Sequence, residues 1–144
     1  MRIAEILRTK GDDVTTVPPE TRIHSLLTVL ADRNIGAVVV SPDGDHIAGI
    51  VSERDIVRAL HRRGAELLNS PVSRIMTAQV RTCAPDDRVD SLRHIMTEHR
   101  IRHLPVVANG RLVGIVSIGD VVKSALSELV IEHEHLVDYL QGSY

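Results

Sequence analysis

The chain is expected to adopt an α/β (α+β) fold, built as two β-α-β-β-α units packed sheet to sheet about a pseudo-two-fold axis. Three observations predict this. The 144-residue sequence aligns with itself over most of its length, each copy alternates helix-period with β-branched runs, and the apolar content is almost wholly aliphatic. Apolar residues at 43% and charged residues at 25% are ordinary globular usage, which argues against disorder. A chain of this size buries roughly 68–70% of its unfolded surface, enough for a core without disulfides or metals.

The duplication carries the most information. Ile35-Gly36-Ala37-Val38-Val39-Val40 aligns with Ile101-Arg102-His103-Leu104-Pro105-Val106 at an offset of 66, and Gly49-Ile50-Val51-Ser52 with Gly114-Ile115-Val116-Ser117 at 65. Thr16-Val17-Pro18-Pro19 matches Thr82-Cys83-Ala84-Pro85, and Asp55-Ile56-Val57 matches Asp120-Val121-Val122. The repeats are assigned to residues 1–66 and 67–144, with a linker around Arg63 to Pro71.

Each copy opens with a short extended piece ending in proline. A helix follows, with Ile23, Leu26, Leu27 and Leu30, or Val89, Leu92 and Met96, at helical spacing. Two β-branched runs come next, Ala37 to Val40 and Ile47 to Val51 in the first copy. Their turn is Pro42-Asp43-Gly44-Asp45 in one copy and Asn109-Gly110, a strong hairpin signal, in the other. A second helix starts at Ser52 or Ser117 and carries Ile56, Val57 and Leu60, or Val121, Val122 and Ala125. A three-stranded sheet covered by helices on one face leaves the other face apolar, hence sheet-to-sheet packing. Beyond Leu126, Leu129, Ile131, Leu136, Val137 and Leu140 extend the helical pattern as a tail, placed against its own domain or a partner subunit.

Composition excludes several function classes. Phe and Trp are absent, and Tyr139 and Tyr144 stand in the last six residues. The chain thus has no aromatic platform for stacking bases, which counts against RNA-recognition sheets and single-strand grooves. A net charge of −2 gives no global pull toward nucleic acid or an anionic membrane. Cys83 is alone, no apolar run approaches the ~18 residues of a membrane span, and Met1-Arg2-Ile3-Ala4-Glu5 lacks a signal-peptide core. A cytoplasmic protein is expected. Glu132-His133-Glu134-His135 is the densest metal-ligand cluster, but its histidines lie two apart on different helix faces, so no metal site is expected. Arg58, His61, Arg62 and Arg63 form a basic run at a helix end, where cations complement the dipole, phosphate contact being the less favoured reading. Cys83 reads as a buried filler, with no adjacent base to activate it.

Ser52-Glu53-Arg54-Asp55 and Ser117-Ile118-Gly119-Asp120 occupy equivalent strand-to-helix junctions. Ser-x-x-Asp there is a capping box, the serine accepting a backbone N–H while the acid sits near the positive helix end. The same geometry lets a carboxylate accept from both hydroxyls of a ribose, with exposed N–H groups nearby for a phosphate. The two roles are compatible.

At these residues the repeat resembles the CBS domain, and its duplication resembles the Bateman module. The resemblance is carried by Gly-Ile-Val-Ser-x-x-Asp in both copies, by Arg102-His103-Leu104-Pro105-Val106, and by Val14/Thr16/Pro19 and Val80/Thr82/Pro85 before the first helices. It implies clefts between the repeats that bind adenosine-containing ligands: AMP, ADP, ATP, NAD or S-adenosylmethionine. It further implies that Asp55 and Asp120 hold ribose, that Thr16 (with Val17 beside it) and Thr82 line the adenine side, and that Arg102 and His103 meet phosphates. Each site would be composite, one combining Thr16, Ile35, Ser117 and Asp120, the other Thr82, Ile101, Ser52 and Asp55. A homodimer follows from the same resemblance.

The copies are unequal. Gly36-Ala37 stands where the second copy has Arg102-His103, and Arg54 where it has Gly119, so the two sites should differ, at least one preferring a phosphorylated ligand. With no nucleophile beside a base, no P-loop and no G-x-G-x-x-G, the expectation is a non-catalytic sensor that binds an adenine nucleotide and signals to an effector protein. The alternatives are an interaction scaffold with empty clefts and an NAD-using enzyme. Without aromatics, adenine would lie between aliphatic side chains, leaving affinity to the ribose and phosphate contacts.

Overall fold

The computed structural model describes residues 1–11 and 13–142, so Tyr144 lies outside the described residues. Helix α1 (Ile3–Lys10) leads into strand β1 (Thr16–Val17), helix α2 (Ile23–Arg33), strands β2 (Ala37–Val40) and β3 (Gly49–Ser52), and helix α3 (Glu53–Arg63). Two short 3-10 segments, Gly64–Asn69 and Val72–Arg74, precede helix α4 (Val89–His99), strands β4 (His103–Ala108) and β5 (Arg111–Ser117), and the long helix α5 (Ile118–Gln141). The β-α-β-β-α order is present in the first copy. The tail continues the last helix without a break.

In the first copy β1 pairs parallel with β2, which pairs antiparallel with β3. The second copy forms the β4–β5 hairpin, and its leading segment adds a single parallel bridge, Cys83 to Val106. Proline explains the loss. Thr16 pairs with Val39, but the equivalent partner of Thr82 is Pro105, which has no N–H to donate to the ladder. The hairpin turns on Asn109 (φ 54°) and Gly110 (φ 76°), the paired positive angles of a type I′ turn.

Two hydrophobic cores form, one per repeat. Ile23, Leu26 and Leu30 of α2 pack under Val38, Val40 and Val51; Val89, Leu92 and Met96 of α4 pack under Leu104, Val106 and Val116. Leu27, expected on the α2 stripe, is exposed, as are Val57 (64%) and Val122 (51%) on the second helices. Those helices touch their sheets through Ile56 and Ala59 or through Val121, a narrower contact that turns the neighbouring valines outward.

Core ownership crosses the boundary drawn between the sequence repeats. Ile3 and Ile6 of α1 belong to the second core, while Leu67 from the supposed linker and Val72 just after it are fully buried in the first. The exchange is reciprocal down to the backbone. Ile3 N donates to Asp87 O (2.9 Å) and Val89 N to Met1 O (3.1 Å); Val72 N donates to Thr21 O (2.7 Å) and Ile23 N to Ser70 O (3.0 Å). Ile3-Ala4-Glu5-Ile6-Leu7 therefore corresponds to Val72-Ser73-Arg74-Ile75-Met76, at an offset of 69. Two glycines accommodate the exchanged segments. A Cβ on Gly49 would meet Met76 Sδ at 2.6 Å, and one on the equivalent Gly114 would meet Leu7 Cδ2 at 2.7 Å.

Candidate functional site

The Ser-x-x-Asp junctions fold as capping boxes. Asp55 N donates to Ser52 Oγ (3.3 Å), and Asp55 Oδ2 accepts from Ser52 N (2.9 Å) and Ser52 Oγ (3.1 Å). Asp120 N donates to Ser117 Oγ (3.2 Å), and Asp120 Oδ2 accepts from Ser117 N (2.9 Å). The cap fixes each carboxylate at the first turn of its helix and uses Oδ2 alone. Asp55 Oδ1 has no partner among the described residues.

Asp55 opens onto a cleft of about 820 Å³ between the repeats. Seven sequence-predicted residues line it: Gly36, Ser52, Arg54, Asp55, Ile101, Arg102 and His103. The backbone before Cys83 supplies Val80 and Arg81, while Thr82 is exposed and outside this lining. Thr16, Val17, Ile35, Ser117, Gly119 and Asp120 also lie outside it; Val17 is buried in the first core, and Asp120 belongs to the other junction.

The cleft is cationic. Arg54, Arg58, Arg81, Arg100 and Arg102 surround it, against the carboxylates of Glu53 and Asp55. None of these five arginines is in an ion pair among the described residues. Arg54 and Arg58 stand one turn apart on α3, a like-charge spacing that costs a few tenths of a kcal/mol in an isolated helix. Arg100 ends α4 in the left-handed region (φ 54°), where the first copy ends α2 on Asn34 (φ 52°). Asn tolerates that conformation better than Arg, so the exchange favours a guanidinium at the cleft at some cost to the backbone. A bound anion would offset the like-charge repulsion of Arg54 and Arg58.

His103 lies between the two junctions, its ring 3.6 Å from where a Gly36 Cβ would stand. Burial, with the positive charges of Lys10 and Arg102, holds its imidazole below the usual histidine value despite Asp120 and Glu53 pulling the other way. Burial by itself pushes the Asp120 carboxyl upward. The hydrogen bonds from Lys10 and from Ser117 N outweigh this and hold the carboxyl below its usual range. The Lys10 ammonium sits 2.6 Å from Asp120 Oδ2.

Residues 3–62 and 72–127 match the family model of the CBS domain, covering most of both repeats. The chain belongs to the CBS domain family. A CBS-domain containing protein from Agrobacterium tumefaciens is 44% identical, with a TM-score of 0.84 over 87% of this chain and 99% of that one. A CBS domain protein from Pyrobaculum aerophilum, complexed with AMP, is 33% identical, with a TM-score of 0.72 over 83% of this chain and 89% of that one. A CBS domain pair solved with 5′-methylthioadenosine and S-adenosyl-L-methionine is 25% identical, with a TM-score of 0.79 over 89% of this chain and 98% of that one. No helix among the described residues is long and apolar enough to cross a membrane.

Several cleft residues of this CBS pair escape sequence reasoning. Arg58 reads first as a dipole-complementing residue and only second as a phosphate contact, and Arg81 and Arg100 sit in extended or capping positions with no motif of their own. The usable signal is Arg100 aligned with Asn34, an arginine where a C-cap favours Asn or Gly. Lys10 carries no signal, because its partner lies 110 residues away.

Proposed function

We propose that this CBS pair is a non-catalytic sensor that binds one of AMP, ADP, ATP or NAD in the Asp55 cleft and reports it to an effector protein. The carrying observation is an aspartate with one oxygen unbonded, beside five arginines that form no ion pair among the described residues. Asp55 Oδ1 accepts from the ribose diol, and the guanidinium groups take the phosphates bidentately. Ile101 and Val80 provide the aliphatic surfaces for adenine. This charge balance favours an anionic nucleotide over S-adenosylmethionine, whose sulfonium is cationic. The neighbour solved with AMP supports the same ligand class. A cytoplasmic setting belongs to the same reading.

The test is calorimetric titration with AMP, ADP, ATP, NAD, adenosine and S-adenosylmethionine. Phosphorylated ligands should bind most tightly, and none should bind Asp55→Ala with wild-type affinity. Absence of binding at millimolar concentration would favour the scaffold reading, and turnover of NAD would favour an enzyme.

The homodimer is assigned to α5. Val122, Leu126, Leu129, His133, Leu136 and Leu140 follow alternating steps of four and three, the seam of a two-stranded coiled coil, and all six are exposed in the single chain. A second copy of the chain provides an identical seam. Light scattering after chromatography should give a dimer that Leu129→Asp converts to monomer; a wild-type monomer would rule the assignment out.

A further inference from the structure

The two junctions differ in what approaches the aspartate. Lys10 and Gln79 are equivalent positions, three residues beyond Leu7 and Met76, which fill the equivalent spaces over Gly114 and Gly49. Gln79 lines the open Asp55 cleft. Lys10 instead donates to both Asp120 Oδ2 (2.6 Å) and Ile115 O (2.9 Å).

The backbone differs in the same place. In the first repeat the residue after Met76 bridges to the strand, and Thr77 exchanges two hydrogen bonds with Ile50 (2.9 and 3.0 Å). In the second repeat α1 stays helical through Lys10, and the carbonyl of Ile115, equivalent to Ile50, is taken by the lysine side chain instead. One ammonium thus replaces a strand contact and neutralises the carboxylate.

We infer that Lys10 closes the Asp120 junction to ribose, so that each chain binds one nucleotide although it carries two Ser-x-x-Asp motifs. A diol needs the carboxylate as a charge-assisted acceptor, and Asp120 already spends its charge on an internal cation. Opening this site means withdrawing Lys10. The other repeat shows such an arrangement, where Thr77, equivalent to Arg8, pairs with the strand edge at Ile50. The inference builds on the nucleotide reading of the Asp55 cleft, and the experiment separates the two.

AMP is titrated by calorimetry into wild type, Asp55→Ala, Asp120→Ala, Lys10→Gln, Lys10→Arg and the Lys10→Gln/Asp120→Ala double variant. The expected stoichiometry is one for wild type and Lys10→Arg, and two for Lys10→Gln, the gained site vanishing when Asp120→Ala is added. Two sites in wild type, one of them lost in Asp120→Ala, would overturn the inference, as would a single site in a Lys10→Gln protein that melts cooperatively. If wild type binds nothing but Lys10→Gln binds one AMP through Asp120, the inference stands and the Asp55 reading falls; if neither binds, both fall. Amide NMR of the wild type needs no variant. AMP should shift Arg54 and Asp55 and leave Gly119 and Asp120 unmoved, and equal shifts at both junctions would refute closure.

Discussion

Replacing Arg102 by alanine separates phosphate recognition from everything else the cleft does. The backbone of Arg102 is held at the start of β4, where its carbonyl accepts from Ile118 N (2.8 Å), while its side chain is exposed and has no protein partner among the described residues. Truncation therefore leaves folding within about 0.5 kcal/mol of wild type, as for surface sites without special contacts. A hydrogen bond to a charged group contributes about 1.5–3 kcal/mol, or roughly a 10- to 150-fold change in affinity at ~1.4 kcal/mol per tenfold. Four other arginines share the cleft and take up part of the lost contact, so the effect should fall near the lower end. Calorimetry with AMP and adenosine in parallel reads it: about tenfold weaker AMP binding, unchanged adenosine, and a shallower salt dependence. An unchanged AMP-to-adenosine affinity ratio would mean that Arg102 does not meet phosphate.

Other consequences follow from neighbouring residues. Because the folded pKa of His103 is depressed below 6.5, the unfolded chain binds the extra proton first. His103 therefore lowers stability as pH falls through 6.5 toward its folded value, and His103→Gln should flatten that part of a melting-temperature profile. A phosphate beside His103 stabilises the imidazolium, so AMP binding should take up protons below neutral pH, seen as buffer-dependent heats that His103→Gln removes. The Cys83 thiol is pushed up to about 12, first by burial and then by the Asp87 charge, and it should resist iodoacetamide in the folded protein and react on denaturation. Gly49→Ala should destabilise by about 1–3 kcal/mol, since overpacking here meets backbone as well as side chain. Its Cβ would stand 2.9 Å from Thr77 O and 2.6 Å from Met76 Sδ, whereas the Gly114→Ala methyl meets only the flexible Leu7 side chain and should cost less in chemical denaturation.

What could be read from the chain alone follows from how local each determinant is. Ser52 and Asp55, like Ser117 and Asp120, were legible because a capping box is written in four consecutive residues and duplicated. The hairpin at Asn109-Gly110 was legible for the same reason. Pro105 was visible as part of a motif, but its effect on the second sheet emerges only once the register places it opposite Thr82. The arginine cluster was half hidden: Arg54 and Arg102 stand in motifs, whereas Arg58, Arg81 and Arg100 converge from three separate elements. The leading segments went unrecognised as part of the repeat because their offset is 69 against 65–66 elsewhere, and because one copy is α-helical and the other a 3-10 turn. Val57 and Val122 were misplaced because a helical stripe gives the apolar face but not how much of it the sheet covers.

The reciprocal seating of Ile3–Leu7 on the second core and Val72–Met76 on the first bears on how the chain comes to be folded and where it came from. Each half lends its opening segment to the other, which is the geometry of a domain swap contained in one polypeptide. A single-repeat ancestor with this architecture would have lacked part of its own core until it met a twin. Fusion made that encounter intramolecular, replacing a concentration-dependent assembly by a tethered one. During synthesis the first repeat becomes complete only when residue 76 has emerged, and α1 waits for β4 and β5 before it can be buried. Neither half should survive as an excised fragment, and the intact protein should unfold in one transition.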